Sequence, residues 1–166
     1  MNDTETLSPL LPNETEEATR RLLQKASERG LRLATAESCT GGMLASLLTD
    51  VQGVAHAFER GFVTYTNEAK SEMLGVPASL IEERGAVSRE VAIAMAEAAL
   101  ARSRANIAVS ITGFADRGDE PGLVHFACAR AGRATAHREE HFGPGGRGAT
   151  RVACMEVAVA MMTEML

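Results

Sequence analysis

Residues 31–36 alternate as a short strand does, Gly41-Gly42 then break the chain, and residues 43–48 resume a helical spacing. A strand that passes through a tight glycine turn directly into a helix is the opening of a βαβ unit. Such a unit needs a second parallel strand and a crossover, so most of the chain beyond residue 48 must be sheet and covering helix. The remaining pattern agrees. Residues 58–66, rich in β-formers, predict a second strand. Asn67 is placed to cap a helix over 68–74 that Gly75 ends, and Pro77 opens a short helix to about residue 83. Ser88 caps a long helix to about residue 103, and residues 106–112 predict a third strand. Residues 114–122 form a charged loop. The strands 123–130 and 134–142 are separated by Ala131-Gly132-Arg133, a short link that favours an antiparallel hairpin. A Gly/Pro-rich loop, 143–148, leads to a final helix over 149–165. With a first helix over 14–29, the tally is about five strands and five to six helices. The expected class is α/β, a three-layer α/β/α sandwich with a mixed sheet.

Composition narrows the partners. The 166 residues suit one domain, 14–166, behind a disordered or loosely docked leader, 1–13. Hydrophobic residues make up 45% but aromatics only 4%, so the core must be built from Ala, Val, Leu, Ile and Met. The net charge of −5 argues against a general grip on a nucleic-acid backbone, though not against a local cationic pocket. No apolar run is long enough for a membrane span, and the polar start lacks the pattern of a signal peptide. The expectation is a soluble, cytoplasmic protein with no nucleic-acid or membrane partner. Cys39, Cys128 and Cys154 lack paired spacing, and His56, His125, His137 and His141 form no metal-ligand motif, so no metal is expected.

In an open α/β sheet, ligands gather at the carboxyl ends of strands. The run Glu37-Ser38-Cys39-Thr40-Gly41-Gly42 sits at the first such end. Its glycines let backbone N–H groups approach a ligand, and a helix N-terminus favours an anion or oxyanion. Ser38 is a candidate nucleophile that needs a base; the plain alternative is that Ser38 and Thr40 only cap a helix. Lys70 can serve as base if its surroundings lower its pKa, or it is a solvated surface lysine. Tyr65 can relay a proton or is a half-buried strand residue. Thr112-Gly113 can supply a hydroxyl and an N–H to an oxyanion, or simply end a strand. Arg147 and Arg151 lie one turn apart at a helix start, spaced to clamp a phosphate or carboxylate, or to sit as a surface pair. Cys39 is the alternative nucleophile, or a buried inert thiol.

The run Thr35-Ala36-Glu37-Ser38-Cys39-Thr40-Gly41-Gly42 resembles the signature of the CinA C-terminal domain family. So do Tyr65-Thr66-Asn67-Glu68-Ala69-Lys70, Leu74-Gly75-Val76, Gly85-Ala86-Val87-Ser88 and Thr112-Gly113, in the same order. The resemblance spans about residues 15–166. It implies a three-layer α/β/α fold, no required metal or cofactor, and an oligomer, commonly a dimer. The family includes nicotinamide-nucleotide amidases, enzymes of NAD salvage and the pyridine nucleotide cycle, which convert nicotinamide mononucleotide to nicotinic acid mononucleotide and ammonia. By that resemblance Ser38 is the nucleophile, and Tyr65, Lys70 and Thr112 complete the catalytic set. Glu37, Cys39, Thr40, Gly41, Gly42, Asn67, Gly113, Arg147 and Arg151 are expected beside the nucleotide, with Arg147 or Arg151 on its phosphate.

Two segments depart from the family pattern. After Thr112-Gly113, where the family usually has Ala-Gly-Pro and more glycines, this chain reads Phe114-Ala115-Asp116-Arg117-Gly118-Asp119-Glu120-Pro121-Gly122. Gly145-Gly146-Arg147 stands where Gly-Asp-Arg or Gly-Asn-Arg is usual. The nucleophile half is intact and the ligand-covering half is altered. Two other readings therefore stand beside the amidase: a non-catalytic nucleotide-binding or regulatory relative, which the acids of residues 116–120 favour, and an amidase for another small amide. Family members also occur fused behind a larger N-terminal domain, whereas this domain is expected to stand alone.

Overall fold

The computed structural model describes residues 10–166; most of the expected leader, residues 1–9, lies outside them. Among the described residues, six α-helices and five strands follow in the order α1 (Asn13–Glu28), β1 (Leu33–Glu37), α2 (Met43–Asp50), β2 (Phe58–Val63), α3 (Asn67–Leu74), α4 (Ala78–Arg84), α5 (Arg89–Ala101), β3 (Ile107–Gly113), β4 (Leu123–Arg130), β5 (Ala136–His141) and α6 (Arg147–Glu164). The sheet order is β2-β1-β3-β4-β5, parallel through β2, β1 and β3 and antiparallel through β4 and β5. This is the mixed α/β sheet that the patterning predicts.

Side-chain size decides which helices cover which face. Leu33, Ile107, Val109 and Ile111 point to one side and meet Leu22, Leu44, Leu47, Met155 and Val159 of α1, α2 and α6. Ala34, Ala36 and Ala108 point to the other, under Val91, Met95 and Ala99 of α5. Small residues on that face let α5 lie close, and Ser110 Oγ donates to the Ala92 carbonyl of α5 at 2.6 Å. Apolar burial at about 25 cal/mol per Å² drives this packing. The chain's few aromatics are not missed, because alanine and methionine fill the narrow gaps.

The structure moves several boundaries. Strand β2 ends at Val63, not residue 66, because the chain turns out of the sheet to start α3. Thr66, not Asn67, caps α3: its hydroxyl accepts from Ala69 N at 3.0 Å, and Asn67 becomes the first helical residue. A 3-10 turn at Ala55–Ala57 has no counterpart in the patterning, since three residues carry too little periodicity to read. Leu11, within the expected leader, is buried in the core, and Asn13 already belongs to α1.

Candidate active site

Register brings the site together. Glu37 of β1 pairs with Val63 of β2 and with Ile111 of β3, so the next residues, Ser38, Thr64 and Thr112, stand in one row at the carboxyl edge. Two hydrogen bonds extend the ladder past the strands: Ser38 N donates to Ile111 O at 2.9 Å, and Thr64 N to Glu37 O at 2.8 Å. The sheet order reverses here, β2 lying on one side of β1 and β3 on the other, which is the crevice where α/β proteins bind ligands.

A cavity of about 290 Å³ opens on this row. Ser38, Cys39, Tyr65, Asn67, Lys70, Thr112, Gly113 and Arg147 line it, joined by Ala86, Val87 and the stretch from Phe114 to Arg117. Lys70 sits one turn into α3 and its side chain is almost wholly buried, at 1% exposure. Its Nζ donates to Ser38 Oγ at 3.0 Å and to Thr64 O at 2.9 Å, and lies 3.5 Å from Tyr65 O. Burial pushes the Lys70 pKa down, against a smaller opposing pull from Cys39. A neutral amine has two N–H donors and one lone pair. Two backbone carbonyls can only accept, so when the amine is neutral they take its N–H groups and the Ser38 contact reverses, the hydroxyl donating to the lone pair on Nζ.

The other expected residues divide. Tyr65 lines the cavity and is 61% exposed; its phenol lies near enough to Arg147 to help hold that guanidinium protonated, and its link to Lys70 is through its backbone carbonyl. No hydrogen bond joins its phenol to Ser38 or Lys70. The Thr112 hydroxyl donates to Ala86 O at 2.8 Å, so its one proton ties β3 to the loop before α5. Gly113 is sterically required: a Cβ there would stand 2.6 Å from Val124 Cγ2 and 2.8 Å from Leu123 O.

Glu37, Thr40, Gly41 and Gly42 do not line this cavity. The fully buried Glu37 carboxylate accepts from Thr40 Oγ1 at 2.5 Å, Leu44 N at 3.0 Å and Ala45 N at 2.8 Å. It thereby caps α2 from the preceding strand, where a negative charge meets the helix dipole favourably. Gly41 and Gly42, at φ 60° and 96°, turn the chain into α2 and face a separate surface cleft. Arg151 lies in that cleft too and donates to Thr40 O at 2.7 Å, so it braces the turn rather than meeting the cavity.

Two features carry no sequence signal. The guanidinium of Arg147 is forked onto Asp116, Nη2 to Oδ1 at 2.8 Å and Nε to Oδ2 at 3.3 Å. Thirty-one residues separate the pair, beyond any periodic pattern. Cys39, 7% exposed, contacts Cys154 of α6; this hydrogen bond, ahead of the opposing effect of burial, holds the Cys39 thiol below its ordinary pKa, while Cys154 is pushed up. All three cysteines are free and buried. Among the described residues, no cluster of three or more His, Cys, Asp or Glu can hold a metal, and no helix is long and apolar enough to cross a membrane.

Known proteins align with this arrangement. The CinA C-terminal domain family matches residues 15–166. The nicotinamide-nucleotide amidohydrolase PncC of Escherichia coli is 47% identical over 133 residues, 77% of this chain and 80% of that protein. A putative competence-damage inducible protein of Symbiobacterium thermophilum is 54% identical over 112 residues, 64% of this chain but 26% of that protein, so the chain matches about a quarter of its length. The crystal structure of the competence/damage inducible protein CihA from Agrobacterium tumefaciens superposes with a TM-score of 0.90 at 43% identity, over 94% of this chain and 98% of that one.

Proposed function

The chain belongs to the CinA C-terminal domain family, and from that membership and the Ser38–Lys70 pair we propose that it deamidates nicotinamide mononucleotide to nicotinic acid mononucleotide and ammonia. The observation that carries the reading is the buried Lys70 amine 3.0 Å from Ser38 Oγ, at the edge of a ligand-sized cavity. A relative 47% identical, from Escherichia coli, bears the name nicotinamide-nucleotide amidohydrolase.

In the proposed reaction, neutral Lys70 takes the Ser38 proton as Oγ attacks the carboxamide carbon. The N–H of Cys39 faces the developing oxyanion; one such donor is worth about 3–4 kcal/mol in the barrier. Protonated Lys70 then gives its proton to the departing ammonia. Water, activated by the same amine, cleaves the acyl-Ser38 ester. Arg147 holds the phosphate, and Tyr65 orients Arg147 rather than relaying the proton. No step requires a metal or organic cofactor. As part of the same proposal, residues 14–166 are the catalytic unit, working in the cytoplasm as a homodimer within NAD salvage.

The test is ammonia release from nicotinamide mononucleotide by the purified protein. Ser38→Ala is expected to lower the rate by about 10³-fold or more, and Cys39→Ala by less than about tenfold. The reverse order makes Cys39 the nucleophile. A second reading, a nucleotide-binding relative without turnover, is favoured by Asp116, which occupies the arginine expected to meet the phosphate. Binding of the nucleotide with no ammonia supports it instead.

A further inference from the structure

Arg147 lines the cavity with one edge of its guanidinium already in use. The Nε–Nη2 edge is the fork that best matches a carboxylate or a phosphate, and the Asp116 carboxylate holds both of its nitrogens. Both residues line the same cavity as Ser38 and Lys70. The pair is half open to water, its side chains 48% and 30% exposed, so it is weak enough to exchange.

The backbone around Asp116 is pinned at its base. Phe114 N donates to Leu123 O at 2.9 Å, Gly122 N to Phe114 O at 2.7 Å, and Phe142 N to Gly122 O at 2.9 Å. Gly122, at φ 90°, packs so closely that a Cβ would stand 2.3 Å from Gly143 O. The loop therefore presents Asp116 from a fixed platform, and exchange at Arg147 needs only its side chain to swing.

We propose that Asp116 is an internal counter-anion that occupies the place of the substrate's phosphate on Arg147, so that a phosphate monoester binds by displacing it. This rests on the reading that Arg147 receives the phosphate. The physical basis is competition for one fork. A phosphate monoester dianion brings about two charges and three oxygens, and displaces a carboxylate with one charge and two. A neutral nucleoside brings nothing that releases Asp116. The acid that would repel the ligand is thus neutralised by the arginine until the ligand arrives, and turns outward afterwards.

The experiment is calorimetric titration of the whole protein with inorganic phosphate and, separately, with dihydronicotinamide riboside, a nucleoside whose reduced ring carries no charge, at low and at high salt. Asp116→Asn is expected to bind phosphate about 3- to 5-fold more tightly than the parent at low salt. The gain shrinks as salt screens the charge, and riboside affinity is unchanged. Asp116→Ser, which also removes the second acceptor, gives the same sign and guards against an effect peculiar to the amide. Arg147→Gln removes phosphate binding in either background. Equal or weaker phosphate binding by both Asp116 variants overturns the proposal, because Asp116 then supports Arg147 instead of competing for it. Phosphate binding that survives Arg147→Gln also overturns it. The amidase reading fails separately: a protein that shows the expected phosphate affinities but releases no ammonia keeps this inference and loses that one.

Discussion

Lys70 shows why a residue's chemistry cannot be read from its own letter. On the sequence it is one lysine on a short helix, equally suited to water. In the structure it is one of the largest side chains shut from solvent among the described residues, with carbonyl acceptors on two sides and a serine on the third. Its pKa is lowered, chiefly by burial. A base must be neutral to accept a proton, so kcat/KM is expected to rise with pH and level off, with its inflection below the ordinary lysine value of 10.5. Lys70→Met should cost about 10²–10⁴-fold in turnover. The same change should leave the urea midpoint at neutral pH unchanged or higher, because an apolar chain of similar volume replaces a buried amine. A midpoint that collapses together with activity would make Lys70 a structural residue. Tyr65 shows the opposite limit. Its place in the motif predicts a role for the phenol, whereas the fold uses its backbone carbonyl near Lys70 and sends the ring toward Arg147.

Elements are legible where a period or a breaker marks them. The pattern of 31–36, Gly41-Gly42 and 43–48 translates into β1, the turn and α2, and the link Ala131-Gly132-Arg133 into an antiparallel hairpin. Capping is less legible, because neighbouring Thr66 and Asn67 are both good caps and only backbone geometry selects Thr66. Glu37 is the residue whose letter misleads most. Beside a serine and two glycines it suggests substrate contact, yet it faces away from the cavity and holds the first turn of α2. That turn has no side-chain cap from its own N-cap residue, Gly42, so the task falls to Glu37. Glu37→Gln keeps the shape but turns one acceptor into a donor facing an N–H or hydroxyl. We expect a loss of about 1–3 kcal/mol in chemical denaturation, with Glu37→Ala no better. A variant as stable as the parent would show that the turn holds without its carboxylate.

At the scale of the whole molecule, the antiparallel half of the sheet carries its own titrating group. His125 of β4 and His137 of β5 stack, Nδ1 and Nε2 3.0 Å apart, and both are held below the ordinary imidazole pKa, first by burial. The carboxylates of Glu139 and Glu90 oppose the shift at both, His141 adds to it at His125, and His125 and Arg89 add to it at His137. For a base with a depressed folded pKa, the unfolded chain takes up the proton first as pH falls. The stability these residues confer is therefore full above the unfolded value of about 6.5 and is lost as pH drops through it toward the folded values. His141, raised by Glu120 and Glu139, has the opposite sign and loses its contribution as pH rises. We expect the urea midpoint to fall between about pH 7.5 and pH 5.5, and His137→Gln to flatten that fall. An identical fall in the variant would place the acid lability elsewhere.

The backbone bond from Ser38 to the Ile111 carbonyl has one more consequence. The nucleophile is registered to the middle of the sheet, whereas Asp116 stands on a connecting segment and Arg147 at the very start of α6, just after another. Loop grafting between relatives should therefore be modular. A transplanted 114–122 or 143–147 segment can retune which molecules are accepted while the reactive pair keeps its alignment, so lineages can diversify at the rim without reinventing the chemistry beneath.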